Sequence, residues 1–262
     1  MNRRQLLGSA LSGASLGSVW SCGLAFAMRQ RDPTIEVIGA DDAQVALISV
    51  ERVRVLVLMG SPSRSVRDHL NGLIGTFRPR IDLLIGSRSG IDLLGAEFQR
   101  HRHVSHTLAL DDDSTPYNGT PLASPPVLSA RLSGDVTMSI RTLTMRGWNT
   151  TLTERRSWIV IVQRDSHVAV LGPNVDDVAI FGPANPALAI GATGSIAFAA
   201  RKLPASAIGF NADGISEDRL GPPSGNAQRH LVRIHPGESA VFTLTNTGVR
   251  LPSWAERRSI LE

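Results

Sequence analysis

Two apolar runs that meet almost without a gap constrain this chain more than any other feature. Gln44–Val50 (QVALISV) and Arg52–Met59 (RVRVLVLM) are rich in β-branched residues and are separated only at the Glu51-Arg52 corner, which predicts a β-hairpin. Gly60-Ser-Pro-Ser63 is then a turn, and Ser65–Gly75 has helical spacing. Ile81–Gly86 is a short apolar strand ending at glycine, Gly90–Arg100 is helical again, and Val104–Leu110 is another strand. Strands at this spacing with helices between them predict layered α/β structure.

The remaining elements fall on either side of that block. Thr34–Gly39 reads as a strand, and Ala40–Ala43 as a turn leading into the hairpin. The acidic, Pro-rich stretch Asp111–Pro126 reads as a surface loop. Beyond it, Val127–Leu132 and Val136–Leu143 alternate as strands, and Ser157–Gln163 with His167–Leu171 form a second hairpin over Arg164-Asp-Ser166. Asn174–Phe181 reads as a helix started by Pro173. Ala187–Ile190, Ser195–Ala199 and Ser206–Phe210 are short apolar runs. His230–Ile234 and Ala240–Thr245, around His235-Pro-Gly237, predict a closing hairpin, and Trp254–Glu262 a charged tail.

This order resembles the metallo-β-lactamase fold, and within it the C-terminal domain of competence-type DNA-internalisation proteins. The resemblance runs over residues 34 to 250 by element order and over 36 to 110 by local pattern. It rests on the hairpin, on Asp42-Ala43 ahead of it, and on the strand Arg80-Ile-Asp-Leu-Leu-Ile85. It implies an α/β (α+β) chain folded as a four-layer αββα sandwich of two mixed sheets. In the family that strand empties into the metal motif His-x-His-x-Asp-His. Here Gly86-Ser-Arg-Ser-Gly-Ile-Asp92 follows, so Ser87, Ser89, Ile91 and Asp92 stand at the metal-binding positions. The family's bridging Asp after the second hairpin falls at Pro173, and no histidine occurs between His167 and His230, where a His-His-Gly-Ser segment belongs. The resemblance therefore implies the scaffold with a decayed metal site, without catalytic residues and without a cofactor.

A second reading keeps a metal. His101-Arg-His-Val-Ser-His106 departs from the family motif only by Ser105, and three imidazoles plus a water can make a hydrolytic zinc site. On this reading zinc is held by His101, His103 and His106, with Asp92 or Asp111. Along a strand His101 and His103 share a face and His106 takes the other, so the three converge only if the first two lie in a loop. A third reading takes Arg78, Arg80, Arg88, Arg100 and Arg102 as a surface for DNA or another phosphate-containing ligand. Asp82, Asp92 and Glu97 offset that charge, and few aromatic residues offer the stacking platform of a single-strand binder.

Composition bounds these readings. The chain has 262 residues, 42% of them hydrophobic, enough for a sizeable core. Its pI near 10.4 reflects arginine outnumbering lysine, of which Lys202 is the single example, over a formal charge of only +4. At the N-terminus, Arg3-Arg4 precede a Gly/Ser-rich, mildly apolar run ending Ala25-Phe26-Ala27, which resembles a twin-arginine signal with a small-x-small cleavage site. The expected organisation is a signal over 1–27, a linker over 28–33, the domain over 34–250 and a tail over 251–262. Export across the cytoplasmic membrane follows from that signal, to the periplasm, cell surface or medium. Cys22, the single cysteine, sits in a poor lipobox behind Trp20, so membrane contact is expected through the signal and less through lipidation. A protein or a phosphate-containing ligand is the expected partner.

Overall fold

The computed structural model describes residues 32–40, 43–60, 70, 80–110, 119–147, 154–183, 186–195, 207–211, 215–216 and 230–252. The described residues all belong to one compact unit, Asp32–Glu262.

The first strands are β1 (Thr34–Ala40), β2 (Ala43–Val50), β3 (Val53–Met59), β4 (Ile81–Ser87) and β5 (Val104–Leu110). Helix α1 (Arg88–His101) joins β4 to β5 and is broken at Gly95, whose backbone (φ 77, ψ 158) is not helical. Then come β6 (Gly119–Arg131), β7 (Val136–Gly147), β8 (Glu154–Arg164) and β9 (His167–Asn174), followed by helix α2 (Val175–Phe181). The chain continues with β10 (Leu188–Ser195), β11 (Ala207–Asn211), β12 (Ile215–Ser216), β13 (His230–Ile234), β14 (Ser239–Thr245) and β15 (Gly248–Arg250).

These strands form two mixed sheets. One runs β15-β14-β1-β2-β3-β4-β5, with β3, β4 and β5 parallel. The other runs β13-β11-β10-β9-β8-β7-β6, with β9, β10, β11 and β13 parallel and β12 pairing β10. Three apolar layers separate four structural layers. Val55, Val57 and Met59 of β3 join Trp158, Val160 and Val162 of β8 between the sheets. Leu56 and Leu58 turn to the other face of the first sheet, where they meet Ile91, Leu94 and Phe98 of α1. Ile159 and Ile161 turn outward from the second sheet to meet Val175 and Val178 of α2. The chain is thus the four-layer αββα sandwich of two mixed sheets that the resemblance implies. Strands buried on both faces read as continuous apolar runs, which is why β3 and β8 stand out in the sequence.

The second half departs from expectation in three places. Gly119–Pro126, expected as loop, is the start of β6. Its prolines are tolerated because β6 ends the sheet, where a missing N–H costs no ladder bond, and because its register shifts between Ala123, Pro126 and Leu128. β13 and β14 are not a hairpin: β13 pairs β11 in the second sheet, whereas β14 pairs β1 and β15 in the first. His235–Glu238 is therefore an arch from one sheet to the other, seated on Gly39 by bonds from Gly39 N–H to Glu238 O and from Gly237 N–H to Gly39 O, both 3.0 Å. Finally, α2 is capped by Asn174, whose side chain accepts from the Asp176 N–H, and Pro173 still belongs to β9. The expected helix over 65–75 and the tail over 254–262 lie outside the described residues, apart from a helical, fully buried Leu70.

Candidate functional site

Strand register brings the two sheets' parallel strands to one edge of the sandwich. In the first sheet, Gly39 is level with Gln44, Gln44 with Met59, and Ser87 with Leu110. Leu58 pairs with Gly86, so Met59 and Ser87 share that terminal row. In the second sheet, Ile234 is level with Asn211, and Trp158 with Thr142. Gly191 pairs with Gly172 and Val160 with Leu171, which sets Ala192 and Trp158 beside Pro173. The bridge between Gly39 and Pro236 in the arch ties the two rows together. Ser87 and Pro173, the positions read from sequence as decayed ligands, thus end strands that emerge at one edge. In layered α/β folds that is the edge where sites usually open.

At Ser87 the side chain is engaged in folding. It is buried, and its Oγ accepts the Gly90 N–H at 3.1 Å while lying 3.2 Å from Ser89 Oγ. This is an N-cap bond to the third helical residue, which satisfies one of the four N–H groups a helix start leaves open. Ile91 packs under α1, and Ser89 and Asp92 face solvent. At Pro173 the carbonyl accepts from Thr193 Oγ1 at 2.9 Å.

The histidines are elsewhere. His101 is the last residue of α1, His103 lies in the following turn with φ 46, and His106 is in β5 at the sheet's edge; all three are exposed. The turn is fixed by the Arg102 N–H to Phe98 O and the Ile81 N–H to Arg102 O. Among the described residues no three His, Cys, Asp or Glu side chains group so as to hold a metal ion, so the structure does not bring His101, His103 and His106, with or without Asp92, into one such group. Asp111 lies outside the described residues.

The side chains of three of the five arginines can be placed among the described residues. Arg80 pairs with Asp82 at 2.9 Å and Arg88 is exposed, but Arg102 is buried. Arg78 lies outside the described residues, as do Arg3, Arg4, Cys22 and Ala27 of the expected signal. Among the described residues no helix is long and apolar enough to cross a membrane.

Sequence reasoning missed two residues near the edge where β4 and β9 end. Gln44 is fully buried, shares its face with Ala46 and Ile48 toward the inter-sheet layer, and has no partner for either amide atom. Trp158 is fully buried in the same layer and its Nε1 has no acceptor. The visible signal was a glutamine in the inward phase of an otherwise apolar strand.

At the opposite edge, Arg164 lies on the same face of β8 as Trp158. Its guanidinium bonds Asp32 Oδ1 at 2.5 Å, Asp135 Oδ2 at 2.8 Å and the Leu244 carbonyl at 3.0 Å. The Asp32 hydrogen bond raises its pKa most and the Asp135 bond adds to it, against the lowering effect of burial. A polar depression of about 270 Å³ opens beside it, lined by Asp32, Asn246, Thr247 and Arg250 among others.

No family model matches the sequence. No curated protein matches it either. Among solved structures, the chain is similar to unliganded yeast PDE1, at 8% identity and a TM-score of 0.35, over 80% of this chain and 99% of that one.

Proposed function

We propose that the chain is an exported, non-catalytic relative of the metallo-β-lactamase fold, with a binding or scaffolding role outside the cytoplasm. The observation that carries this reading is Ser87. The residue at the head of the family's metal motif has its hydroxyl engaged as the cap of α1, and Ile91 four residues on is part of the core beneath that helix. Pro173, at the bridging-ligand position, has no side-chain donor for a metal. The four-layer architecture supports the family likeness, and the Arg3-Arg4 pattern before Ala25-Phe26-Ala27 supports export. The edge where β4 and β9 end is then where a ligand or partner seats.

Metal content tests this reading, on full-length protein purified without chelator or affinity His-tag, in the natural form and as His103→Gly. The variant removes the central imidazole of the His101/His103/His106 set at a residue whose positive φ (46) glycine adopts without strain. Both proteins are expected to stay folded and metal-free after zinc incubation, with His103→Gly within about 1 kcal/mol of the natural protein or more stable. Stoichiometric zinc in the natural protein that is lost in the variant would overturn the proposal in favour of a zinc hydrolase.

Export has its own readout. Replacing Arg3 and Arg4 together by Lys is expected to leave the protein inside the cytoplasm, measured by fractionation of producing cells. Unchanged export would remove the twin-arginine part of the reading.

A further inference from the structure

Gln44 and Trp158 are exceptions to a strong rule, because buried polar groups in folded proteins are nearly always hydrogen-bonded. Gln44 leaves both a donor and an acceptor unmet, and Trp158 leaves a donor unmet. Both face the layer between the sheets: Gln44 lies in the terminal row of the first sheet, and Trp158 is level with Pro173 near the end of β9, although β8 itself runs on to Glu154. Ser157 Oγ, also without a partner, alternates to the other face of β8 and does not belong with them.

The stacking of the sheets sets the two side chains in one inter-sheet layer, two strands apart. β2 packs over β10 and β3 over β9, and β8 is the next strand beyond β9. Gln44 and Trp158 are therefore offset by about two strand spacings, or ~10 Å, across a sheet separation of ~10 Å. The described residues that pack around them in this layer are apolar, so a charged guest there would be left without a counter-ion.

We propose that the inter-sheet layer between Gln44 and Trp158 binds a small uncharged ligand carrying a carboxamide-like pair of donor and acceptor. The Gln44 amide pairs with that group in both directions, and the Trp158 indole N–H donates to an acceptor on the ligand. The site rests on the non-catalytic binding role proposed above and gives that role its ligand class. A polar residue that costs stability in the free protein and is useful only when occupied is the expected mark of such a site.

The test uses full-length protein and propionamide as the probe, with sodium propionate as the charged counterpart. The readout is the Trp158 indole N–H resonance, assigned by its loss in Trp158→Phe. Propionamide is expected to shift this resonance saturably, propionate not, and Gln44→Met is expected to weaken the effect by about tenfold or more. Gln44→Met is also expected to raise the melting temperature of the ligand-free protein by roughly 2–8 °C, because it removes unmet polar atoms at nearly constant shape. No saturable shift, an equal shift in Gln44→Met, or a fall in melting temperature would each overturn the proposal. A long-lived buried water on the indole proton would overturn it as well, since the groups would then be satisfied by structure. Zinc content reports on the non-catalytic reading separately, so the failure of one is not mistaken for the failure of the other.

Discussion

Arg164→Ala loses about 2–4 kcal/mol of folding stability, which is a large share of the ~5–15 kcal/mol a natural domain has. The guanidinium is buried at the end of β8 and joins three segments far apart in sequence. These are Asp32 ahead of β1, Asp135 in the β6–β7 turn, and the carbonyl of Leu244 near the end of β14. Removing it leaves two carboxylates and a carbonyl without their charged donor, and opens a gap where the long side chain had packed. Full burial of an ion pair would put the loss at the upper end, but the Asp32 and Asp135 side chains are 39% and 27% exposed and recover part of their hydration. Arg164→Met keeps the packing and loses only the charged bonds, so it falls between the two proteins. Urea denaturation measures all three, and an unchanged midpoint in Arg164→Ala would show that the clasp contributes nothing. The pH dependence has a definite sign. The pKa of Arg164 is raised in the folded state, chiefly by the Asp32 hydrogen bond, so its contribution is complete below the unfolded value. It is lost only as pH climbs through the folded value in strong alkali.

The same residue shows why part of this fold was legible in the sequence and part was not. Hairpins and their layers could be read because they are local. The β2–β3 and β8–β9 pairs announce themselves through β-branched runs on either side of a short polar corner, and both runs are buried on two faces. Arg164 was visible only as a hairpin corner. Its partners lie 132 and 29 residues away, and no local pattern carries that information. The β13–β14 segment failed for a related reason. Two alternating runs around His235-Pro-Gly237 suit a hairpin and an arch equally well. The outcome depends on which sheet edges stand free, β11 for the first run and β1 for the second. At Gly119–Pro126 composition misled, because prolines mark loops on average and an edge strand tolerates them. The candidate site was half legible. Ser87 and Pro173 were picked out only by a resemblance to a family pattern, whereas their place near the ends of strands at one edge follows from register. Gln44 stood in plain view, yet a lone glutamine in a strand gains meaning only once both its atoms are known to be buried and unmet.

Gly39→Ala is expected to be strongly damaging for so small a change, at about 3 kcal/mol or more. A Cβ on Gly39 would lie 2.3 Å from the His235 carbonyl oxygen and 2.8 Å from its carbon, and both are backbone atoms that cannot rotate away. The arch would have to lift from the end of β1. That breaks the two backbone bonds with Gly237 and Glu238 and disturbs the point where the chain passes between the sheets. Gly237→Ala is the control. Gly237 sits in the same arch at φ 80 with nothing within 4 Å of its Cβ position. Alanine there meets backbone strain alone, about 1–2 kcal/mol. For a domain of this size the two substitutions lower the melting temperature by roughly 6–12 °C and 2–8 °C, respectively. A Gly237→Ala protein less stable than Gly39→Ala would mean that the arch does not rest on Gly39. Because Gly39 is level with Gln44 across the β1–β2 pair, the clash also reaches the proposed amide site. Gly39→Ala protein held folded at low temperature should therefore lose the propionamide shift at Trp158, whereas Gly237→Ala keeps it. Binding and the sheet-to-sheet crossing would then share one structural cause.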